Sequence, residues 1–500
     1  MQERQVVINA IMSVAQIVVI SGVLFILYKF LLNSIGVEQL GIWSVVLATT
    51  SVANIANLGL SASVVKFVAK YLAHGEDESV AGVIQTAAIS MSILIGFVLL
   101  FAYPLANYLL SLLIPIAKLK VALSILPYAL LSLWGTVIAG VFLAGLDGCQ
   151  RIDIRSMLFM GSAVFHLFLC FLLVPIYGLM GLAYVQVIQA WMLLILSWFL
   201  LKSYLPTLPA IPWRWNRRIF SEMVDYGINF QVMSISSMLF EPTTKALLSR
   251  FGGLAMVGYY EMASRMISQI RALIVSANQV LVPVIADLHE RNQEVIQGIY
   301  KATYRLIFYI GLPFLSIIIV LVPLISEIWI GHYESLFVFF AILLAVGWFL
   351  NILAGPAYFA NLGTGDLRWN TVSHVTIAVL NGGLGLLFGI YYGGTGVVIA
   401  FVFSLVAGSL IIPVSYHVQH KILLKELLPR ENIVVGLTSG TGILVTMLLY
   451  YEFRSSWSLM AVSILIILTF FSIIFVPIWL HPMRKRLTGL ITTALVNTSV

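Results

Sequence analysis

The sequence predicts an all-α polytopic membrane protein of fourteen transmembrane helices, arranged as two pseudo-symmetric six-helix lobes with two further helices at the C-terminal end. Three observations predict it: a composition too apolar for water, fourteen apolar stretches of bilayer length, and an internal repeat.

Of 500 residues, 61% are hydrophobic and only 9% charged, with a mean hydropathy of +1.04, whereas soluble domains carry about 25% charged residues. A conventional cytosolic enzyme is excluded. The net charge of +7, from 27 Lys+Arg against 20 Asp+Glu, is read first as loop topology and not as affinity for nucleic acid. Cys149 and Cys170 have neither zinc-site spacing nor the setting of a disulfide framework, so neither a metal nor any other cofactor is expected. Arg4 precedes an apolar run from Val6 to Leu32 that is too long for a signal-peptide core and reads as an uncleaved first span.

A helix needs about 20 apolar residues to cross the hydrocarbon core. Such stretches occur at 7–32, 41–65, 80–102, 121–146, 156–174, 178–201, 226–249, 255–285, 306–328, 335–361, 371–391, 394–416, 433–451 and 457–480. The semi-apolar stretch 103–120, with Pro104 and Pro115, reads as an outer loop at the interface. Most of the 27 Lys and Arg collect on one side when the N-terminus is placed inside, among them Lys66, Lys70, Arg214, Arg217, Arg218 and Lys421. Because cations near span ends resist translocation, both termini are expected to be cytoplasmic.

The repeat has an offset of roughly 215–219 residues. Lys29 to Gly36 matches Lys245 to Gly252 and, after one added residue, Gly41 and Trp43 match Gly258 and Tyr260. Pro104-Leu105 matches Pro323-Leu324, Gly148-x-x-Arg151 matches Gly365-x-x-Arg368, and Tyr177-Gly178-x-x-Gly181 matches Tyr392-Gly393-x-x-Gly396. Six spans separate each pair, so the halves are parallel repeats. The expected domains are an N-terminal lobe over 1–202, a cytoplasmic amphipathic linker over 203–225, a C-terminal lobe over 226–420, and the last two helices with a tail over 421–500. The linker, with Pro206, Pro209, Pro212 and the run Trp213-Arg-Trp-Asn-Arg-Arg218, suits the anionic headgroup layer.

An ionisable side chain inside a bilayer is costly and calls for a partner or a watery cavity. Lys29, Glu241, Lys245, Glu261, Arg265 and Arg271 qualify. Glu241 with Lys245 and Glu261 with Arg265 are i,i+4 pairs able to meet on one helical face. Arg271 has no acid one turn away, and its repeat mate is Asn54. Polar residues at helical spacing add Asn9, Ser13 and Gln16 on the first span, Ser44, Ser51 and Asn54 on the second, Asn229 on the seventh, and Ser268 and Gln279 on the eighth. Four intramembrane cations against two acids predict a central cavity that attracts anions. Its candidate binding residues are Lys29, Lys245, Arg265, Arg271, Asn9, Gln16, Asn54, Asn229, Ser268 and Gln279, with Glu241 and Glu261 as candidate ion-coupling residues.

Pro242 and Pro283 are expected to interrupt the seventh and eighth spans. Gly385-x-x-x-Gly389 and Gly436-x-x-x-Gly440 read as close helix contacts and not nucleotide loops, because no strand precedes them. His417 and His420 read as a satisfied interfacial pair and not as a metal site.

The stretch Lys29-x-Leu-Leu-x-x-x-Gly36-Val-Glu-Gln-Leu-Gly41-Ile-Trp43, the stretch Leu247-Leu248 through Gly258-Tyr-Tyr260, and Val282-Pro283 with Ala286-Asp287 resemble the Wzx-type polysaccharide or oligosaccharide flippases of the multidrug/oligosaccharidyl-lipid/polysaccharide (MOP) exporter superfamily. The resemblance implies a MATE-like fold and no catalysis. It implies movement of an undecaprenyl-diphosphate-linked oligosaccharide from the inner to the outer leaflet of a bacterial inner membrane by alternating access, with a Na+ or H+ gradient as the candidate drive. Surface-glycan synthesis (O-antigen of lipopolysaccharide, capsule or exopolysaccharide) is the implied setting. The implied partners are the lipid-linked substrate, membrane lipids, and a polysaccharide polymerase or other glycan-assembly protein. The alternative is a cation-coupled multidrug exporter, for which a buried acid in the first lobe is the discriminating feature.

Overall fold

The computed structural model describes residues 2–53, 59–228, 231–279, 281–291 and 294–484. In hydrocarbon every backbone polar group must be satisfied within the chain, and the described residues accordingly form helices and no strand. In order these are α1 (Gln2–Ser51), α2 (Leu60–Ala73), α3 (Asp77–Leu113), α4 (Ile116–Gly148), α5 (Ile152–Tyr177), α6 (Leu179–Tyr204), α7 (Arg217–Ile228), α8 (Gln231–Met238), α9 (Phe240–Gln279), α10 (Leu281–Arg291), α11 (Glu294–Ile330), α12 (Ser335–Leu353), α13 (Gly355–Thr364), α14 (Arg368–His420), α15 (Leu424–Leu427), α16 (Arg430–Phe453) and α17 (Leu459–Leu480).

Among the described residues, ten helices are long and apolar enough to cross a membrane. Some contain more than one leg. Gly36 in α1 and Gly253 in α9 share one backbone geometry, φ 80° with ψ 165° and 172°, and Gly393 breaks α14 at φ 65°, ψ −152°. Positive φ suits glycine, which has no Cβ to clash. In α1 the hydroxyls of Tyr28 and Ser44 both donate to the Glu261 carboxylate, at 3.4 and 2.8 Å. Sixteen residues of straight helix would hold those side chains about 24 Å apart, so the chain reverses at Gly36, midway between them. Glycine also permits the reversal in α14, where a Cβ added at Gly396 would strike the carbonyl of Phe388, eight residues earlier.

The expectation of a loop over 103–120 is corrected. α3 runs through Pro104 to Leu113 and α4 starts at Ile116, so the break is confined to Ile114–Pro115. One proline removes one hydrogen bond from a long apolar helix, which tolerates the resulting bend. Pro115 instead caps the next helix, its carbonyl accepting from the amides of Lys118 and Leu119. Pro242 falls in the first turn of α9, just after α8 ends at Met238, where a missing amide hydrogen costs little. Pro283 likewise lies in the first turn of α10.

The linker is clamped to α3. Gln85 Oε1 accepts from the amides of Trp213 and Arg214 at 3.3 and 3.2 Å, Thr86 Oγ1 from the amide of Asn216 at 3.2 Å, and Ser90 Oγ from Trp215 Nε1 at 2.9 Å. These bonds leave Trp213 66% and Trp215 49% exposed, beside the linker's arginines.

The chain packs as two compact units, Met1–Glu261 with Ala378–Ala400, and Met262–Ile377 with Phe401–Val500. In the second, α16 and α17 pack on α11 through Val320, Leu324, Tyr450, Ile466 and Phe470. In the first, the predicted contact at Gly385-x-x-x-Gly389 is present: Cβ atoms there would fall 2.7 Å from Leu247 and into the Phe251 ring. The prediction fails at Gly440, where a Cβ would meet nothing within 4 Å, because that glycine is on an exposed face of α16.

Candidate functional site

Two arrangements gather the ionisable residues of the spans. In the first unit, the reversals at Gly36 and Gly253 build two hairpins related by a constant offset of 217 residues. Lys245 and Glu261, eight residues either side of Gly253, form an ion pair at 2.7 Å with side chains 4% and 6% exposed. Tyr28 and Ser44, eight residues either side of Gly36, are their repeat counterparts, and both bond the same Glu261 carboxylate. Lys245 also reaches Glu241 at 3.3 Å. The contact is reciprocal in the backbone: a Cβ at Gly41 would strike the Leu254 carbonyl, and a Cβ at Gly258 the Val37 carbonyl. Glycine at both positions lets the hairpins approach closely, as small residues do between membrane helices. Asn381 braces the start of α9, donating to the Phe240 carbonyl and to Thr244 Oγ1 at 3.1 and 3.0 Å.

The second arrangement is a cavity of about 430 Å³ in the second unit, lined by Arg271, Asn278, Asn351, Tyr358, Ser373 and His374 among others. The Arg271 guanidinium lies over the Trp348 ring at 4.3 Å. Its Nε is buried with no hydrogen-bond partner, and among the described residues no carboxylate pairs with it. The Tyr358 and His374 rings meet edge to face at 5.9 Å, and Asn351 is held by a 2.7 Å bond to Ser409. A desolvated cation calls for a counter-charge, and guanidinium suits phosphate through two parallel N–H bonds.

The predicted residues therefore separate. Lys245, Glu241 and Glu261 come together, whereas Arg271 lines a cavity in the other unit. Lys245 is already bridged by two carboxylates, so of the four cations set against two acids it adds no free positive charge. Glu261 lies against Lys245 from across the Gly253 turn, a partner that i,i+4 spacing did not identify. Lys29 is exposed on α1. Asn9 acts elsewhere: its Oδ1 accepts from the Asp153 amide at 3.0 Å and its Nδ2 donates to the Gln150 carbonyl at 2.9 Å, clamping the turn between α4 and α5. Ser268 Oγ donates to the Arg265 carbonyl at 2.9 Å, within the helix. Arg265 and Gln16 are half-buried. Asn54, Asn229 and the Gln279 side chain lie outside the described residues. His417 and His420 are each held by tyrosine: His417 Nε2 bonds Tyr300 Oη at 2.5 Å, and the His420 ring stacks on Tyr416 at 4.1 Å.

Tyr28, Trp348, Asn351, Tyr358 and His374 were not among the predicted site residues. Histidine inside a span is itself an ionisable signal, so His374 was detectable from the sequence.

The fold is similar to that of the lipid II flippase MurJ in an inward closed conformation, with a TM-score of 0.72 and 13% identity over 93% of this chain and 98% of that one. It is also similar to an inward-facing multidrug resistance MATE family transporter of the MOP superfamily, with a TM-score of 0.66 and 17% identity over 82% and 98% of the two chains. A MOP superfamily transporter from Pyrococcus furiosus, described as having a binding pocket of reverse polarity, gives 0.60 and 15% over 83% and 94%. At such identities the likeness is one of fold. No curated protein matches the chain. A family model described as polysaccharide biosynthesis protein matches residues 6–289, more than half of the sequence, and the chain accordingly belongs to that family, the Wzx-type branch its motifs resemble.

Proposed function

We propose that the protein carries an undecaprenyl-diphosphate-linked oligosaccharide from the cytoplasmic to the periplasmic leaflet of a bacterial inner membrane by alternating access, supplying surface polysaccharide synthesis such as O-antigen, capsule or exopolysaccharide. The observation that carries this reading is Arg271, an intramembrane guanidinium with a buried, unpartnered Nε beside a cavity of mixed polar and apolar lining. A diphosphate supplies the missing counter-charge, and the amides and hydroxyls of Asn278, Asn351, Tyr358 and Ser373 suit sugar hydroxyls. A cationic drug would instead meet a like charge there.

Glu241, with a side chain 46% exposed, is the less buried carboxylate beside Lys245 and the one open to protonation, and a proton is the better candidate coupling ion. Lys245 already fills the space between Glu241 and Glu261, where a sodium ion would need to sit.

The test is lipid translocation in proteoliposomes with a fluorescent diphosphate-linked oligosaccharide. Arg271→Ala should abolish translocation and Arg271→Lys retain part of it, because lysine keeps the charge and loses the fork, with unchanged melting in both. Normal translocation by Arg271→Ala refutes the site. Intact surface glycan with altered dye resistance in a deletion strain would favour a multidrug exporter.

A further inference from the structure

We propose that the second unit carries, at one end, a recognition cleft for neutral or acetamido sugars, in tandem with the Arg271 cavity. The inference rests on the lipid-linked oligosaccharide reading above. α10 ends at Arg291, α11 starts at Glu294, α13 ends at Thr364, and α14 starts at Arg368 and ends at His420. These termini surround a cleft of about 560 Å³ whose lining includes Glu294, Gln297, Asn361, Asp366 and Gln419.

The chemistry of this lining is the reverse of the first cavity. Two carboxylates and three amides face the space, and no Lys or Arg is among the described lining residues. Sugar hydroxyls both donate and accept, as amides do, and carboxylates are their strongest acceptors. The same carboxylates repel phosphate and uronate. The His420 ring, exposed and stacked on buried Tyr416, adds the flat face that a pyranose ring needs. Parts of the wall are held in place before any ligand arrives: Asn361 Nδ2 donates to Asn370 Oδ1 at 2.9 Å and Gln297 Nε2 to the His420 carbonyl at 3.2 Å, and preorganisation of this kind favours binding.

The two cavities follow the same helices. Tyr358 and Leu362 of α13 line the first, and Asn361 and Thr364 the second. Ile412 of α14 lines the first, and Tyr416, one turn on, the second. A cationic cavity followed by a hydroxyl-binding cleft matches a headgroup in which a diphosphate is followed by sugars. Glu294, Asp366 and Gln419 are exposed, so substituting them opens no core.

The test uses the full chain in nanodiscs with cellobiose, chitobiose, digalacturonate and inorganic pyrophosphate, read by saturation-transfer NMR. A neutral disaccharide should bind saturably, and digalacturonate about tenfold more weakly or not at all. Glu294→Ala with Asp366→Ala should weaken the neutral sugar by about tenfold, the loss of charge-assisted hydrogen bonds, and leave pyrophosphate binding unchanged. Arg271→Ala should do the opposite. Glu294→Lys with Asp366→Lys should reverse the preference towards digalacturonate. The cleft is refuted by any of three results: no saturable binding of either neutral disaccharide, wild-type binding by the double alanine variant, or equal binding of digalacturonate by the wild type. Unchanged pyrophosphate binding by Arg271→Ala overturns the functional reading and not the cleft.

Discussion

Glu261→Ala tests the seam most directly. The substitution leaves Lys245, 4% exposed, with only Glu241 at 3.3 Å, and deletes the acceptor for Tyr28 and Ser44. Removing one partner of a buried ion pair costs about 3–5 kcal/mol when the other charge is left uncompensated, and the half-exposed Glu241 that remains beside Lys245 places this variant at the low end of that range. Ser44→Ala removes a 2.8 Å bond to a charged acceptor and should cost about 1.5–3 kcal/mol, whereas the 3.4 Å bond of Tyr28 limits Tyr28→Phe to about 0.5–1.5 kcal/mol. Replacing both ions, as Lys245→Met with Glu261→Leu, removes the uncompensated charge and should recover most of the loss of either single variant. Unfolding in mixed micelles by added sodium dodecyl sulfate, followed by tryptophan fluorescence, measures all four. A cost below about 1 kcal/mol for Glu261→Ala, or a double variant as unstable as the worse single one, would show that the pair is not a dry, coupled unit and would end the argument.

Gly41→Ala and Gly258→Ala drive a methyl into the Leu254 and Val37 carbonyls and should each destabilise by about 1–3 kcal/mol; Gly22→Ala, with nothing within 4 Å, should leave melting unchanged or slightly raised. Gln85→Ala removes the acceptor for two linker amides and should speed tryptic cleavage at Arg214 and Arg217 by about five- to thirty-fold, an effect of about 1–2 kcal/mol on local opening. His481, beyond the end of α17, bonds Asn432 Oδ1 at 3.0 Å; burial lowers its pKa below the ordinary 6.5, partly opposed by Glu431. A base whose folded pKa is depressed contributes stability that is intact above 6.5 and is lost as pH falls from there towards the native value. The melting temperature should therefore drop between pH 7.5 and 5 by more in the wild type than in His481→Asn, and parallel pH profiles would exclude this role.

The fold was legible wherever the physics leaves letters in the sequence. Gly41 and Gly258 could be matched because a carbonyl of the opposing hairpin leaves no room for any side chain. The match of Gly36 to Gly252 was one residue off: Gly253 carries the shared geometry, and in a Gly-Gly pair sequence alone does not say which residue turns. That slip hid the correspondence of Tyr28 with Lys245. Spacing along one helix found the Glu241 partner of Lys245 but missed Glu261, which arrives from beyond a reversal. Arg271 stood out because a lone charge in an apolar helix is conspicuous, whereas the residues around it come from α12, α13 and α14, remote in sequence. The break at Ile114–Pro115 was overestimated because proline lowers helix propensity locally, and the apolar residues around Pro104 carry α3 past it.

The seam has a consequence for how the two repeats can be combined. Hydroxyls at Tyr28 and Ser44 oppose an acid and a base at the corresponding places of the second half, so the halves interlock without being interchangeable. Two first halves joined together would keep the glycine fit but bring only alcohols to the junction. Two second halves would crowd a pair of ammonium groups and a pair of carboxylates into one dry space. The molecule is thus a duplication whose copies have become donor and acceptor, and its symmetry survives in the backbone after it has been lost in the charges.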